Sequence, residues 1–300
     1  MHDSSESDAP ATSAADPVGA LLSVLDLRDA GARTSEDIFT GDSQPMPTGR
    51  IYGGQVLAQS LIAAARTLPP ERVVHSMHGY FLRAGDASSP VTFGVDRIHD
   101  GRSFSTRRTQ AYQGGLPIFS SIASFQDDDP GLDHQAPMPD VPSPEELPDP
   151  ADGAMSEHPL TRRMLRERPV DIRWVPSPMY FEVAEPAEPR QAVWMRARRA
   201  LPADQLIHRA VLAYLSDLTI QESILRGHGI PWSSPGLKVA SLDHAMWWHR
   251  DANVDDWLLY VQESPSARGG RGLATGRIYS RDGVLTASVA QEIMVRVPQA

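Results

Sequence analysis

Three polar side chains could together activate a water molecule, and two of them stand where their neighbours predict apolar ones. The first is Asp217. Ile207, Val211, Tyr214, Leu215 and Leu218 form one apolar helical stripe, and Ala210, Ala213, Asp217, Ile220 and Ile224 form a second row holding one carboxylate. A sheet laid over that row would bury the acid and raise its pKa unless donors hold it ionised. The competing reading is a cap: Ser216, Asp217 or Thr219 could begin a fresh turn, and Thr219 with Glu222 fits a capping box.

The second is Gln291. In the last strand-like run Leu285, Ala287, Val289, Gln291, Ile293 and Val295 alternate on one face, so an amide interrupts an apolar surface. Left unpaired it would cost roughly 1–3 kcal/mol, so it needs partners, either in a site or on neighbouring backbone. The third is Ser241, which shares a strand face with Val239, Asp243, Ala245 and Trp247 and reads locally as filler. A carboxylate, a hydroxyl and an amide suit general-base activation of water.

Other chemistries are excluded by composition. No cysteine is present, which removes thiolate catalysis, disulfides and cysteine-ligated metals. There is no G-x-S-x-G elbow, Walker loop, G-x-G-x-x-G or H-E-x-x-H motif. His244 and His249 fall on opposite faces of a strand, as do His75 and His78, which predicts core or surface histidines rather than ligands. A hydrolase built from this chain would use neither a covalent serine step nor a metal.

The elements that must position these residues form two similar series. In the first, Gly53-Gly54-Gln55 opens a helix with Val56, Leu57, Leu61, Ile62 and Ala65 on one face, and strand-like runs follow at 73–83, 89–99, 103–113 and 116–126. The second series has strands at 170–175 and 191–200 and a helix from about Asp204 to Leu225. Further strands are predicted at 237–250, 257–267, 271–281 and 284–297. Tyr80-Phe81-Leu82-Arg83 echoes Trp247-Trp248-His249-Arg250, and Ser121-Ile122-Ala123-Ser124 echoes Ser288-Val289-Ala290-Gln291. A duplicated α+β unit is the expected architecture.

Charge separates these series from what surrounds them. The formal net charge is −10, yet residues 1–17 carry four acids, residues 127–161 carry ten acids and eight prolines, and neither segment has Lys or Arg. The remainder is mildly basic, nearly all of it arginine, since Lys238 is the only lysine. The predicted division is a disordered acidic tail (1–17), a first unit (18–126), a proline-rich acidic linker (127–165) and a second unit (166–300). The basic excess suits a phosphorylated small ligand and is too weak to predict nucleic-acid binding. No run of about 18 apolar residues predicts membrane insertion. Neither a signal peptide nor a peroxisomal C-terminus is recognisable, so a cytoplasmic protein is expected.

Six strings in order carry a resemblance: GGQVLAQSLIAAA (53–65), VHSMHGYFLRAGD (74–86), DGRSFSTRR (100–108), SLDHAMWWHR (241–250), WLLYVQESPSARGGRG (257–272) and DGVLTASVAQE (282–292). Together they resemble the type II acyl-CoA thioesterases over about residues 18–298. The resemblance implies an α+β double hotdog, two tandem units each with a long helix wrapped by an antiparallel sheet. It also implies hydrolysis of fatty acyl-CoA to free acid and CoA without a cofactor, and a homo-oligomer, dimer or tetramer. By the same resemblance Asp217, Ser241 and Gln291 orient the hydrolytic water, while Ser124 replaces the glutamine in the first unit and makes that unit non-hydrolytic. An oxyanion would be met by backbone N–H groups at a helix N-terminus.

Arg102, Arg107, Arg108, Arg268 and Arg271 are candidates for the CoA phosphates, because a guanidinium can bond two oxygens at once. Two other activities fit the same fold class. An enoyl-CoA hydratase would want an Asp/His pair, for which only Asp243-His244 offers itself, and a non-catalytic acyl-CoA-binding protein would release no thiol.

Overall fold

A computed structural model describes residues 16–32, 36–175 and 177–297. The expected tail lies mostly outside this range, but its last two residues do not belong to a tail. Asp16 caps helix α1 (Pro17–Leu25), its carboxylate accepting from the Gly19 amide at 2.9 Å, and Pro17 supplies the first turn.

The first half continues with β1 (Arg28–Ala32), β2 (Glu36–Gly41), helix α2 (Gly53–Ala65), β3 (Val73–Phe81), β4 (Val91–Asp100), β5 (Phe104–Gln113) and β6 (Leu116–Gln126). Short helices α3 (Ala154–Glu157) and α4 (Pro159–Glu167) lead to the second half. It comprises β7 (Val170–Val175), β8 (Arg190–Ala197), α5 (Gln205–Ser216), α6 (Glu222–Arg226), β9 (Lys238–Ser241), β10 (Asp243–Trp248), β11 (Leu258–Arg268), β12 (Arg271–Ser280) and β13 (Leu285–Arg296).

The strands form one antiparallel sheet in the order β1-β2-β4-β5-β6-β3-β10-β13-β12-β11-β8-β7, with β9 paired to β13. The order reads the same from both ends: each half contributes two leading strands and then a four-stranded meander. The halves join where β3 meets β10, with Met77 opposite Met246 and both side chains buried. The expected duplication is therefore present in topology.

Helix α2 is buried from Gly54 to Ala64, polar residues included. The one-faced pattern read from sequence understates this, because α1 and α5 cover what the sheet does not. Its internal glutamines survive burial by bonding: Gln59 Nε2 donates to the Val24 and Asp42 carbonyls at 2.8 and 2.9 Å, and Gln55 Nε2 donates to Gln59 Oε1 at 3.1 Å.

Two predicted elements are interrupted. The helix expected over Asp204–Leu225 stops at Ser216 and resumes as α6 at Glu222. The strand expected over 237–250 breaks at Leu242, whose N–H bonds the Glu292 carbonyl while β9 and β10 lie to either side. Both interruptions fall beside the candidate residues.

The proline-rich segment is a strap. Met138, Val141 and Leu147 pack on a small second core that includes Trp194, Trp257, Leu259 and Tyr279 on the outer face of the second half. Trp194 Nε1 donates to the Pro142 carbonyl at 2.9 Å and the Tyr279 hydroxyl to the Pro137 carbonyl at 3.2 Å. Proline suits this role because it needs no partner for an N–H it lacks. Among the described residues nothing covers the corresponding face of the first half in this way, and Tyr80, Phe104 and Ile122 are exposed there.

Candidate active site

Asp217 follows the last residue of α5 and is buried, 4% exposed. It caps no fresh turn: the residue before α6 is Gln221, which makes no side-chain cap bond. The capping box fails as well. Thr219 Oγ1 accepts from Gln262 Nε2 at 2.6 Å, and Glu222 is buried against Trp174, Gln191 and Trp232. The buried-acid reading of Asp217 is the correct one.

Gln291 faces inward from the middle of β13, fully buried. Its amide nitrogen donates to Asp217 Oδ1 at 2.8 Å and to Ser241 Oγ at 2.7 Å, and Ser241 Oγ donates to the same Asp217 oxygen at 3.2 Å. Ser241 reaches this triangle as the last residue of β9, before the break at Leu242. The three sequence candidates thus meet, with every side-chain bond falling on Oδ1.

The second carboxylate oxygen points at the first half of the molecule. A Cβ on Gly53 would lie 2.7 Å from Asp217 Oδ2, and one on Gly54 would lie 2.4 Å from the Tyr214 carbonyl. The glycine pair is thus required by close approach of α2 to the end of α5. Tyr52 packs edge-on against Tyr214, and its hydroxyl donates to the Tyr214 carbonyl at 2.7 Å. Tyr52 precedes α2 without making a side-chain cap bond, and the helix turns its positive end, with the Gly54 N–H, toward Asp217.

Burial pushes the Asp217 carboxyl up to about 6, against the pull of Gln291, Ser241 and the Gly54 amide, which favour the ionised form. The acid is therefore poised near neutrality and remains mostly ionised above it.

His244 is the residue that sequence reasoning missed. Its Nδ1 lies 2.6 Å from Gln291 Oε1 and its Nε2 lies 2.9 Å from Ser216 Oγ. Gln291 must present its nitrogen to the carboxylate, so its oxygen faces His244 and Nδ1 must carry the hydrogen. Burial depresses the imidazole to about 4, so it stays neutral. A bonded chain runs Asp217–Gln291–His244–Ser216. The missed signal was the break at Leu242: with the strand interrupted, Ser241 and His244 both turn inward. Asp243 faces elsewhere, its carboxylate accepting from the Glu292 amide at 2.6 Å.

The first half lacks this set. Ser124 is in the wrong phase to match Gln291: its hydroxyl lies 2.9 Å from His75 Nε2, while Ala123 and Phe125 occupy the inward positions of β6. The echo that aligned Ser124 with Gln291 is corrected by the burial alternation, and neither inward residue carries an amide.

The arginine candidates do not converge. Arg107 is buried, engaged by Asp100 at 2.6 Å, Thr67 Oγ1 at 2.7 Å and the His99 carbonyl at 3.1 Å, so the expectation of a phosphate contact there is overturned. Arg108 pairs with Asp96 and Arg271 with Glu292, while Arg102 and Arg268 are exposed near hairpin turns. Strands β5 and β12 stand five places apart in the sheet, about 24 Å.

Comparison with known proteins agrees with this geometry. Residues 165–294 match the family profile described as acyl-CoA thioesterase, and residues 42–126 match that of the acyl-CoA thioesterase N-terminal domain. Acyl-coenzyme A thioesterase 8 from Homo sapiens is 40% identical over 94% of this chain and 92% of its own length. The chain belongs to the acyl-CoA thioesterase family. The solved acyl-CoA thioesterase II TesB2 from Mycobacterium marinum is similar at 41% identity and a TM-score of 0.77, covering 93% of this chain and 99% of that one. A hot dog fold protein from Alicyclobacillus acidocaldarius, 20% identical with a TM-score of 0.74, covers 93% of this chain and 99% of its own and shares the fold. The two profile matches fall one on each half, and the chain has the double-hotdog fold.

Proposed function

We propose that this acyl-CoA thioesterase hydrolyses its substrate by water attack directed by Asp217, with Ser241 and Gln291 as the water-orienting pair. The observation that carries the reading is the placing of all side-chain donors on Asp217 Oδ1, which leaves Oδ2 facing the N-terminus of α2. Ionised Asp217 takes a proton from water as the oxygen attacks the thioester carbon. The resulting oxyanion is met by N–H groups at the start of α2, where the helix end favours negative charge. Collapse of the adduct breaks the C–S bond and releases the fatty acid and CoA thiolate, which then takes up a proton. A thiolate leaves readily, so no strong acid is needed opposite the base.

This mechanism makes the two halves unequal: residues 166–300 carry the base and its partners, and residues 18–126 supply the α2 helix end. His244 is a positioning residue, holding the Gln291 amide in the one orientation that serves a carboxylate. A homo-oligomer in a cytoplasmic setting completes the reading, with the uncovered outer face around Tyr80, Phe104 and Ile122 as the contact between copies. Among the described residues no helix is long and apolar enough to cross a membrane.

The test is thiol release from palmitoyl-CoA by the wild type, Asp217→Asn and Gln291→Ala. Loss of at least about a hundredfold in Asp217→Asn is expected. Release that survives both substitutions would remove these residues from the mechanism, and no release from short, medium or long acyl-CoA would leave a binding protein.

A further inference from the structure

The arginines on the hairpin turns do not gather, but a different set does. A cleft of about 350 Å³ lies between α4 and β7, and Arg162, Arg166, Arg168, Arg173 and Arg198 line it. Only Asp149 and Asp171 oppose them there. Asp149 is paired with Arg173 at 2.6 Å, and Asp171 is shared between Arg198 at 3.2 Å and Arg196 at 3.3 Å. Among the described residues, no carboxylate comes within 4.0 Å of Arg162, Arg166 or Arg168. Three guanidinium charges therefore share one concavity without a counter-ion. Such a surface repels itself when empty and focuses its field on an anion of several charges.

One lining residue, Arg168, also contacts the interior of the second half. Arg168 donates to the Tyr180 hydroxyl at 2.6 Å and stacks over Trp174 at 5.6 Å. Tyr180 in turn packs against the main core to which Tyr52 and Tyr214, the pair that abuts Gly54, also belong. Arg162 and Arg166 stand on the exposed side of α4, one helical turn apart, where two planar forks can hold separate phosphates.

We propose that the α4–β7 cleft binds the 3′-phospho-ADP end of the CoA thioester, with Arg162 and Arg166 as its phosphate contacts. The proposal rests on the thioesterase reading and adds where the polar end of the substrate is held. It gives α4, contributed by the segment between the halves, a part in substrate binding. In an acyl-CoA the pantetheine arm separates the thioester carbon from the phosphates, so anchoring the phosphates affects KM and leaves the chemistry at Asp217 alone.

The experiment compares palmitoyl-CoA with palmitoyl-pantetheine, which has the same thioester and no phosphate. The double variant Arg162→Ala/Arg166→Ala is expected to raise KM for palmitoyl-CoA about tenfold with kcat kept, and to leave palmitoyl-pantetheine unchanged. Inhibition of the wild type by 3′,5′-ADP should weaken by a similar factor in that variant. Arg163→Ala is the control, since Arg163 is on the same helix, pairs with Glu167 and does not line the cleft. An equal KM change for both substrates, or none for either, overturns the proposal. So does inorganic phosphate that competes as well as 3′,5′-ADP, because the cleft would then be a general anion site.

If the wild type hydrolyses neither thioester, the hydrolase reading fails and calorimetric titration with 3′,5′-ADP decides the cleft separately. Binding that is lost in the double variant keeps it, and absence of binding to the wild type discards it.

Discussion

Gln291 Nε2 and Asp217 Oδ1 lie 2.8 Å apart although 74 positions separate them in the chain. One sits in the middle of the last strand and the other just past the end of α5, so neither local pattern contains the other. The bond has consequences for rate, stability and pH.

Asp217→Asn should separate function from stability. A carboxyl that titrates at about 6 when folded and near 3.8 when unfolded binds its proton more tightly in the native state. The unfolded chain ionises first, so native stability falls as pH rises from about 4 to about 6 and stays lower above that window. The neutral amide escapes this, and the variant should be more stable at pH 8 by up to about 3 kcal/mol. Its NH₂ would face the Gly54 amide, which makes that figure a ceiling. Urea denaturation at pH 8 and pH 4 measures it: a variant less stable than wild type at pH 8 contradicts the burial argument.

The same titration sets the acid limb of catalysis. The wild-type kcat/KM should fall tenfold per unit below about pH 6, as Asp217 takes up its proton. His244, held neutral by a pKa near 4, should add no limb at the ordinary histidine value. A profile that is flat between pH 5 and 8 would rule out Asp217 as the base.

His244→Ala removes the donor that orients the Gln291 amide. The freed amide can turn its oxygen toward Asp217, which would raise that carboxyl further. The expected result is a kcat lower by about tenfold, KM little changed, and an acid limb displaced to higher pH. A merely structural role would lower stability without displacing the limb, so the pH profile discriminates.

Gly54→Ala places a methyl 2.4 Å from the Tyr214 carbonyl and 2.5 Å from the Tyr52 ring. Neither neighbour can yield without parting α2 from α5, so a loss of about 1–3 kcal/mol is expected, together with loss of activity. Thermal unfolding beside a thiol-release assay checks both.

Ile122→Arg tests the oligomer. Ile122 is 50% exposed on the face that the strap does not cover, so the monomer fold should tolerate the change. Sedimentation should show a smaller species than the wild type, and an unchanged species would move the contact elsewhere.

Much of this protein was legible in its residues. Alternating runs located the eight meander strands closely, because a strand with one buried face writes its period directly into the chain. Asp217 and Gln291 stood out for a related reason: a polar group on an apolar face must be satisfied, and that demand shows before the partner is known. The early elements α1, β1 and β2 left too little periodicity to predict.

Tertiary structure decided what depends on distant neighbours. Whether Asp217 capped a turn or faced a site was settled by Gln291 and Ser241 arriving from other strands. The strand break at Leu242 turned His244 from a core histidine into a partner of the amide. Arg107, which looked available from its motif, is enclosed by Asp100, Thr67 and the His99 carbonyl, while unpaired arginines meet in a cleft that no motif announced. Sequence period reports which side of an element faces the core, since that depends on hydrophobicity along one segment. Hydrogen-bond partners depend on how separate segments are brought together, and only the folded chain determines that.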